Sequence, residues 1–137
     1  MKVRAASSKS DFAAINLLQA VTLPDDRPAD TSVGYWWLAT QDGDPVGFAG
    51  MKGSLRWYDC MYLCRSGVVP EARGNGLQKR LIQVREVQAR RLAMNWLISD
   101  TTQNPASANS LIARGFRMYE PFVPWGGRYT VYWRKRL

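Results

Sequence analysis

A short glycine-rich segment near the middle of the chain has the composition of an anion-binding loop. Gly74 and Gly76 stand between the apolar residues Val68 and Val69 and a basic helix that begins at Leu77. Glycine allows a tight turn in which backbone N–H groups point outward, and the start of the helix adds unpaired N–H donors and the positive end of the helix dipole. The segment is therefore suited to bind a phosphate or a pyrophosphate.

The residues of this segment exclude two common phosphate-binding motifs. A Walker A loop requires Gly-x-x-x-x-Gly-Lys-Ser/Thr, which the chain lacks. A dinucleotide-binding fingerprint requires a third glycine where the chain has Lys79, and no obvious acidic ligand for a ribose follows. An ordinary strand-to-helix turn remains as the alternative to an anion site.

Overall composition limits the remaining chemistry. A chain of 137 residues with 46% hydrophobic and 12% aromatic residues predicts one folded domain, residues 1–137. Histidine is absent, which excludes Ser–His and Cys–His nucleophile pairs and most zinc sites, and no metal is expected.

Cys60 and Cys64 lie on one predicted strand, too far apart for a disulfide, and we expect buried free thiols. No apolar segment resembles a membrane span or a signal peptide, and we expect a cytoplasmic protein.

The formal net charge of +8 requires either an acidic partner or a well-solvated surface. Basic residues are concentrated on the helix after the glycines, namely Lys79, Arg80, Arg85, Arg90 and Arg91, against the single acidic residue Glu86. These side chains could assist the binding of a polyanionic cofactor, could contact nucleic acid, or could form a solvated helix face. We expect the last alternative for most of them.

The elements that must position the loop follow from hydrophobic periodicity and turn residues. Strands are predicted over residues 1–5, 35–40, 45–52, 59–69, 94–99, 117–123 and 128–136. Helices are predicted from a Ser10–Asp11 cap to Val21, over 77–92 with Leu77, Leu81 and Val84 facing the core, and from Asn104 to Gly115. Asn104 suits the N-cap of the third helix, Pro105 its first position, and Gly115 the left-handed position that ends it.

Two segments within this predicted order of strands and helices resemble those of the GNAT-superfamily N-acetyltransferases. Arg73-Gly74-Asn75-Gly76-Leu77-Gln78 resembles the family's acetyl-CoA loop, Gln/Arg-x-x-Gly-x-Gly/Ala, with Gln78 where Gly or Ala is usual. Asn104-Pro105-Ala106-Ser107, followed by Leu111 and Gly115-Phe116, is similar to the family's Asn-x-x-Ala/Ser…Gly-Phe segment. The two segments have the family's order and separation, and the resemblance extends from about Asp59 to Phe116.

The resemblance implies a fold and an activity. The implied fold is α+β: a central, twisted, mostly antiparallel sheet of about seven strands with strands 4 and 5 splayed apart, flanked by three to four helices. The implied activity moves an acetyl group from acetyl-CoA to a primary amine by direct transfer in a ternary complex. The amine could belong to a small molecule, a peptide or a protein.

The resemblance also implies which residues would hold acetyl-CoA. Backbone groups near Val68 and Val69 would bind the pantetheine arm as an added strand. The N–H groups from Arg73 to Gln78, which include those of Gly74, Asn75, Gly76 and Leu77, would bind the pyrophosphate. Asn104 and Ser107 would lie beside the cofactor arm.

The acceptor amine reacts only when it is neutral, so the implied reaction needs a base or a water relay. The candidate bases are Asp59, at the start of the fourth strand, and Asp100, at the end of the fifth, although solvated strand-end carboxylates are the alternative for both. Many members have a Tyr four residues before the Gly-Phe pair, where this chain has Leu111, so the thiolate would take its proton either from Tyr119, the candidate acid, or from solvent. An acceptor pocket is expected beside the loop that carries Asp25, Asp26 and Asp30, whose carboxylates would attract a cationic amine, with Tyr35, Trp36, Trp37 and Trp125 as apolar walls. A core position for Trp36 or Trp37 and a merely solvated acidic loop are the alternatives.

A non-catalytic module on the same fold is the second interpretation. It would be an acyl-CoA-binding protein or a basic nucleic-acid-binding domain, and Leu111, Gln78 and the net charge favour it. Nucleic acid is disfavoured because the basic residues gather beside the glycine loop rather than on a sheet face interleaved with aromatic residues. No membrane partner is expected, and a homodimer formed through exposed strands near the last hairpin remains open.

Overall fold

The computed structural model describes residues 1–137 and contains seven strands and three α-helices. The strands are β1 (Lys2–Ala5), β2 (Tyr35–Gln41), β3 (Asp44–Gly53), β4 (Cys60–Val68), β5 (Trp96–Thr102), β6 (Arg117–Tyr119) and β7 (Thr130–Arg136). The helices are α1 (Lys9–Thr22), α2 (Leu77–Arg91) and α3 (Pro105–Ala113), and a 3-10 turn covers Pro70–Ala72. The predicted order of elements is confirmed.

All seven strands belong to one sheet with the order β1-β2-β3-β4-β5-β7-β6. Neighbouring strands are antiparallel except β4 and β5, which are parallel. A parallel pair needs a crossover connection, which α2 provides. The expected α+β fold with about seven mostly antiparallel strands is confirmed.

The helices cover opposite faces of the sheet because neighbouring strand residues point to opposite sides. On one face α2 and α3 pack against Trp37, Met61 and Leu97 in a cluster of ten buried residues. On the other face α1 packs against Trp36 and neighbouring apolar residues of β2 and β3. No helix packs on the part of that second face formed by β5, β7 and β6, and loops lie over it instead.

The first helix begins earlier than the predicted Ser10–Asp11 cap. Ser8 is the N-cap: its hydroxyl accepts a hydrogen bond from the Asp11 N–H, and the Asp11 carboxylate accepts one from the Ser8 N–H. Asp11 also pairs with Arg4 at 2.8 Å. The Arg4 guanidinium and the N–H groups of Ser7 and Ser8 hold the pKa of Asp11 well below its usual range. Asp11 therefore serves as the third residue of a capping box and connects α1 to β1.

The core-facing side of α2 is wider and more polar than the predicted stripe. Leu77 and Leu81 are buried as expected, whereas Val84 is only half-buried. Arg85 and Glu86 are buried as well, so Arg85 is an exception to the solvated face expected for most of the basic residues of this helix. The Glu86 carboxylate lies 3.1 Å from Lys135, 3.2 Å from Arg114 and 3.7 Å from Arg90, so it joins α2 to the end of α3 and to β7.

The last two strands are shorter than the predicted hairpin of 117–123 and 128–136. β6 ends at Tyr119, because Pro121 and Pro124 cannot donate backbone hydrogen bonds to a ladder. β7 pairs with β5 on one side and with β6 on the other. The ten residues between β6 and β7 form a loop over the uncovered face of the sheet.

The centre of the sheet opens between its two parallel strands. β4 and β5 pair only at Cys60–Trp96, Met61–Leu97 and Tyr62–Ile98. At the same point β4 carries a bulge, because Met51 faces Leu63 while Ala49 faces Ser66, so Cys64 and Arg65 stand opposite the single residue Gly50. The strands therefore diverge beyond Tyr62, as the predicted splay of strands 4 and 5 required.

Both cysteines are free thiols, as expected. Cys60 is buried and Cys64 is half-buried. Burial raises the pKa of Cys60 to about 12 and also raises the pKa of Cys64. Each therefore remains a protonated thiol near neutral pH. No helix of the structure has both the length and the apolar character needed to cross a bilayer.

Candidate functional site

The divergence of β4 and β5 leaves a cleft that runs from Tyr62 to the loop before α2. It consists of two connected cavities of about 480 and 540 Å³. Both cavities are lined by Leu23, Ser66, Gln78, Asn104, Ser107 and Ser110. We call these two cavities together the β4–β5 cleft.

The head of the β4–β5 cleft is formed by backbone N–H groups. Gly74 and Gly76 have φ angles of +83° and +75°, the left-handed region that glycine adopts without strain. None of the six N–H groups from Gly74 to Lys79 donates to another group of the chain. A Cβ atom on either glycine would meet nothing within 4 Å. The loop is therefore an open concave surface of unpaired donors at the N-terminus of α2, which is an anion-binding geometry.

Side chains around this loop turn away from its donors. The Gln78 side chain accepts a hydrogen bond from the Ser66 hydroxyl at 3.2 Å. It therefore points toward β4 and leaves the N–H groups uncovered. Arg73 Nε donates to the Val68 carbonyl at 3.0 Å, and the Asn75 amide lies within 3.4 Å of the Ala72 carbonyl.

Of the two residues predicted to bind the pantetheine arm, Val68 and Val69, only one has a backbone N–H group that is free to bind it. The Val69 N–H donates to the Val46 carbonyl of β3 at 2.9 Å, so it belongs to the sheet. Successive N–H groups of a strand point to opposite edges. The N–H of Val68 therefore points toward the cleft, and Val68 lines it.

The N-terminus of α3 forms the wall opposite the glycine loop. Asn104 caps the helix by accepting a hydrogen bond from the Ser107 N–H at 3.1 Å. Pro105 occupies the first turn, and Gly115 has a φ of +90° just after the helix, as predicted. The two motifs singled out in the sequence thus face each other across one cleft.

At the narrow end of the cleft, Asp100 is the centre of a small polar network. Its Oδ2 accepts hydrogen bonds from Tyr62 Oη at 2.6 Å and from Trp125 Nε1 at 2.7 Å. Its Oδ1 has no partner within the chain and is free to accept a proton or a hydrogen bond. Burial, followed by the negative charge of Asp100, raises the pKa of Tyr62, so Tyr62 stays a hydrogen-bond donor at physiological pH.

A buried cation lies beneath the bulge. Arg85 is only 3% exposed, yet it lines the cleft. It donates from Nε to the Leu81 carbonyl at 2.9 Å and from Nη1 to the Gly50 carbonyl at 3.1 Å. Its Nη2 has no hydrogen-bond partner within the chain. Burial without a paired carboxylate lowers the pKa of Arg85 to about 10, and the group remains charged at neutral pH.

Residues 8–116 match the model of the acetyltransferase (GNAT) family. The chain belongs to this family. The match covers both motifs, the splayed strands and α2. Comparison with curated proteins by sequence finds no match.

Solved structures share the GNAT fold at low sequence identity. The ribosomal-protein-alanine N-acetyltransferase of Brucella melitensis is 19% identical, with a TM-score of 0.76 and full coverage (100%) of both chains. The yncA protein of Salmonella typhimurium, solved with its cofactor acetyl-CoA, is 22% identical, with a TM-score of 0.77 over 99% of this chain and 93% of its own. The phosphinothricin acetyltransferase Pat of Sinorhizobium meliloti, in complex with AcCoA, is 18% identical, with a TM-score of 0.79 over 99% and 88%.

Two of the predicted catalytic residues lie outside the cleft of this GNAT chain. Asp59 is at the opposite end of β4, where its carboxylate accepts a hydrogen bond from the Asn95 side chain at 3.0 Å. Tyr119 lies on β6, with its ring 6.2 Å from that of Trp57, and it borders a different cavity. Burial raises the pKa of Tyr119 to about 12, and its hydroxyl has no partner. Of the three candidates, only Asp100 lies on the cleft.

Several residues predicted to line the acceptor pocket lie elsewhere in the structure. Trp36 and Trp37 are 5% and 7% exposed and pack in the cores on opposite faces of the sheet. In the loop after α1, Asp26 lines the cleft, whereas Asp30 accepts hydrogen bonds from Ser32. Trp125 is the one predicted aromatic wall that contacts the Tyr62 end of the cleft, through its hydrogen bond to Asp100.

Sequence reasoning missed Tyr62 and the position of Arg85. Tyr62 stands in an apolar strand segment, and its hydroxyl is the one polar signal there. Arg85 stands four residues after Leu81 and eight after Leu77, so its spacing places it on the buried face of α2, a signal that its charge concealed. The Gly50 carbonyl that its Nη1 contacts lies opposite the bulge in β4, a long-range feature that local spacing does not reveal.

Proposed function

We propose that the chain is an acetyl-CoA-dependent N-acetyltransferase that moves an acetyl group to a primary amine within a ternary complex. The observation that carries the proposal is the run of six unpaired N–H groups, Gly74 to Lys79, at the head of a cleft between splayed strands. Membership of the acetyltransferase family supports it. Two structures with the same fold, yncA and Pat, were solved with acetyl-CoA.

In the proposed complex, each part of the β4–β5 cleft binds one part of acetyl-CoA. The N–H groups of Gly74, Asn75, Gly76, Leu77 and Gln78 bind the pyrophosphate, with the Arg73 guanidinium beside them. Val68 binds the pantetheine arm through its N–H, and Val69 holds that segment of β4 in the sheet. Asn104 and Ser107 contact the arm from the opposite wall.

The proposed chemistry needs no covalent enzyme intermediate. Asp100 Oδ1 accepts a proton from the acceptor amine, whose nitrogen attacks the thioester carbonyl carbon. Backbone N–H groups of β4 near the bulge stabilise the oxyanion. The C–S bond then breaks, and the CoA thiolate leaves and takes a proton from solvent. The Arg85 cation stabilises that thiolate, which matters here because Leu111 cannot donate a proton.

A nucleic-acid-binding module is the second candidate, and one observation favours it. Arg134 lies 5.5 Å from the Trp96 ring and 4.9 Å from the Tyr119 ring, and Arg136 lies 5.4 Å from Trp96, so one sheet face does interleave arginine with aromatic residues. The guanidinium groups, however, occupy the ring faces on which bases would stack. The N-acetyltransferase is therefore the function that the geometry supports best.

Calorimetric titration with acetyl-CoA, CoA and dephospho-CoA tests the proposal. We expect micromolar binding of acetyl-CoA, weaker binding of dephospho-CoA because the basic α2 contacts the 3′-phosphate, and thiol release when a suitable amine is added. A single-stranded oligonucleotide titrated at low and high salt is the matched alternative ligand. Absence of CoA binding together with salt-sensitive oligonucleotide binding would reverse the assignment.

The cytoplasmic location and the homodimer stay predictions. β6 is an edge strand of three residues with Met118 exposed, so a dimer through this edge would form few backbone hydrogen bonds. Analytical ultracentrifugation of the purified chain measures the oligomeric state directly.

A further inference from the structure

A third cavity lies on the other side of Tyr62 from the β4–β5 cleft. It has a volume of about 200 Å³, and Lys52, Arg56, Tyr62, Ile98 and Trp125 line it. We call it the Arg56 pocket. Tyr62 also lines the β4–β5 cleft, so the two spaces share one wall. A molecule in the Arg56 pocket is thus adjacent to the end of the cleft where the acetyl group would react.

The charges around the Arg56 pocket are unbalanced. The Arg56 guanidinium lies 4.9 Å from the centre of the Trp125 ring, and Lys52 Nζ lies 6.0 Å from that of Tyr62. Neither cation forms a salt bridge, since every ion pair in the chain involves Asp11 or Glu86. The two cations are held over aromatic rings without an anion to neutralise them.

Asp100, which contacts two walls of this pocket, lines the β4–β5 cleft instead. Asp100 Oδ2 is held by Tyr62 and Trp125, which are two walls of the Arg56 pocket. The arrangement therefore places two cations at one end and one carboxylate behind the shared wall, a polarity that matches a molecule with an anion at one end and an amine at the other.

We propose that the Arg56 pocket is the acceptor subsite and that its ligand is a small amine carrying a carboxylate, of the amino acid class. This inference rests on the proposed N-acetyltransferase function. The carboxylate binds Lys52 and Arg56, and the amine reaches Asp100 and the thioester. Ile98 and Trp125 provide apolar contacts for the side chain.

The volume and charge of the pocket favour a small acceptor. Its volume of about 200 Å³ is below the usual range for drug-sized ligands, which suits a small molecule. A polyamine would place a second cation against Lys52 and Arg56, where like charges repel. The purely cationic amine expected from the acidic loop after α1 is thus replaced by an amine that also carries a carboxylate, because Asp25 and Asp30 do not line this pocket.

Matched acceptor pairs test the proposal. Each pair consists of an amino acid and the same amine without its carboxylate: alanine and ethylamine, leucine and 3-methylbutylamine, methionine and 3-(methylthio)propylamine. Thiol release from acetyl-CoA gives kcat/KM for each, and calorimetry first establishes that the preparation binds acetyl-CoA. We expect kcat/KM to be at least about tenfold higher for the carboxylate-bearing member of one or more pairs.

Two arginine variants locate the effect. Arg56→Gln is expected to raise KM for the preferred amino acid about tenfold. It is expected to leave unchanged both KM for the matching amine that lacks the carboxylate and the Kd of acetyl-CoA. Arg128→Gln is the matched control, because Arg128 also lies over an aromatic ring, Tyr129 at 5.6 Å, but is not part of the pocket.

The outcomes separate this inference from the proposed function. A protein that binds acetyl-CoA but acetylates both members of every pair equally, or acetylates neither, overturns the amino acid assignment and leaves the donor site standing. Equal effects of Arg56→Gln and Arg128→Gln on KM overturn the location. Loss of acetyl-CoA binding in the wild-type protein overturns both proposals.

Discussion

The β4–β5 cleft and the Arg56 pocket meet at Tyr62 but are built in opposite ways. The anion-binding head of the cleft is backbone from one continuous segment, Gly74 to Lys79. The pocket is made of side chains from separate segments of the chain, with Lys52 and Arg56 near the end of β3, Ile98 on β5 and Trp125 in the loop before β7. One site therefore depends on chain conformation, and the other on side-chain identity.

This difference predicts where each site is sensitive to substitution. In the cleft, side chains of the glycine loop point away from the donors, so changes that preserve the left-handed turns are tolerated. In the pocket the backbone is ordinary, and single side chains carry the charge and the shape. Three sets of variants test the comparison, starting at the boundary between the two sites.

The largest effect is expected from Asp100→Asn, at that boundary. The Asn oxygen can still accept hydrogen bonds from Tyr62 and Trp125, so the local geometry is kept, but the side chain cannot take a proton from the amine. Loss of a general base lowers kcat by about a thousandfold. The acetyl-CoA Kd, measured by calorimetry, is expected to stay unchanged.

Asp59→Asn is the matched control, because it makes the same chemical change at the far end of β4, where the carboxylate contacts Asn95. It is expected to leave kcat unchanged. A kcat for Asp100→Asn within a few-fold of the wild-type value would mean that a water relay removes the proton and that Asp100 only positions Tyr62 and Trp125.

The second effect, on the backbone-built site, comes from comparing Gly74→Asp with Gly74→Asn. Both side chains impose the same strain at a φ of +83°, and both tolerate the left-handed region better than other residues do. Only Asp places a negative charge beside the pyrophosphate. We expect CoA to bind about a hundredfold more weakly to the Asp variant than to the Asn variant, or about 2.7 kcal/mol.

Thermal unfolding of both Gly74 variants checks that the fold is retained, since strain of about 1–2 kcal/mol is expected in each. The open space around Gly74 means that neither side chain meets a steric clash. Equal CoA affinities for the two variants would show that no phosphate lies at this loop, and the distinction between a backbone site and a side-chain site would then fail.

The same distinction explains how much could be predicted from the sequence. The glycine loop and the Asn104 cap were predicted because each is local: spacing of a few residues decides the backbone conformation. Tyr62, Arg85 and the Arg56 pocket were not, because each depends on the bulge in β4, the parallel pairing with β5 or the path of the loop before β7. Trp36 and Trp37 were expected as possible pocket walls because adjacent aromatic residues do not reveal which faces of the sheet they occupy.

The smallest effect is expected from Arg85→Met, which tests whether the cleft is purely a backbone site. The variant removes a buried cation from beneath the bulge while keeping a similar volume. Without Arg85 the CoA thiolate loses the cation that is proposed to stabilise it, and we expect kcat to fall about tenfold. The effect is modest because solvent can still protonate the thiolate.

The free energy of unfolding separates this role from a structural one. Removing a buried charge that has no paired carboxylate also removes its desolvation cost, although the Gly50 carbonyl loses its donor at a cost of about 1–3 kcal/mol. We therefore expect a small stability change in Arg85→Met. Glu86→Gln, one residue away, is expected to lower the free energy of unfolding by about 3 kcal/mol, because three cations lose the carboxylate that they contact. The kcat of the folded Glu86→Gln protein is expected to change little. If Arg85→Met keeps full kcat, then no side chain of the cleft assists the leaving group. The cleft would then act through backbone groups alone, in contrast to the Arg56 pocket, which acts through side chains.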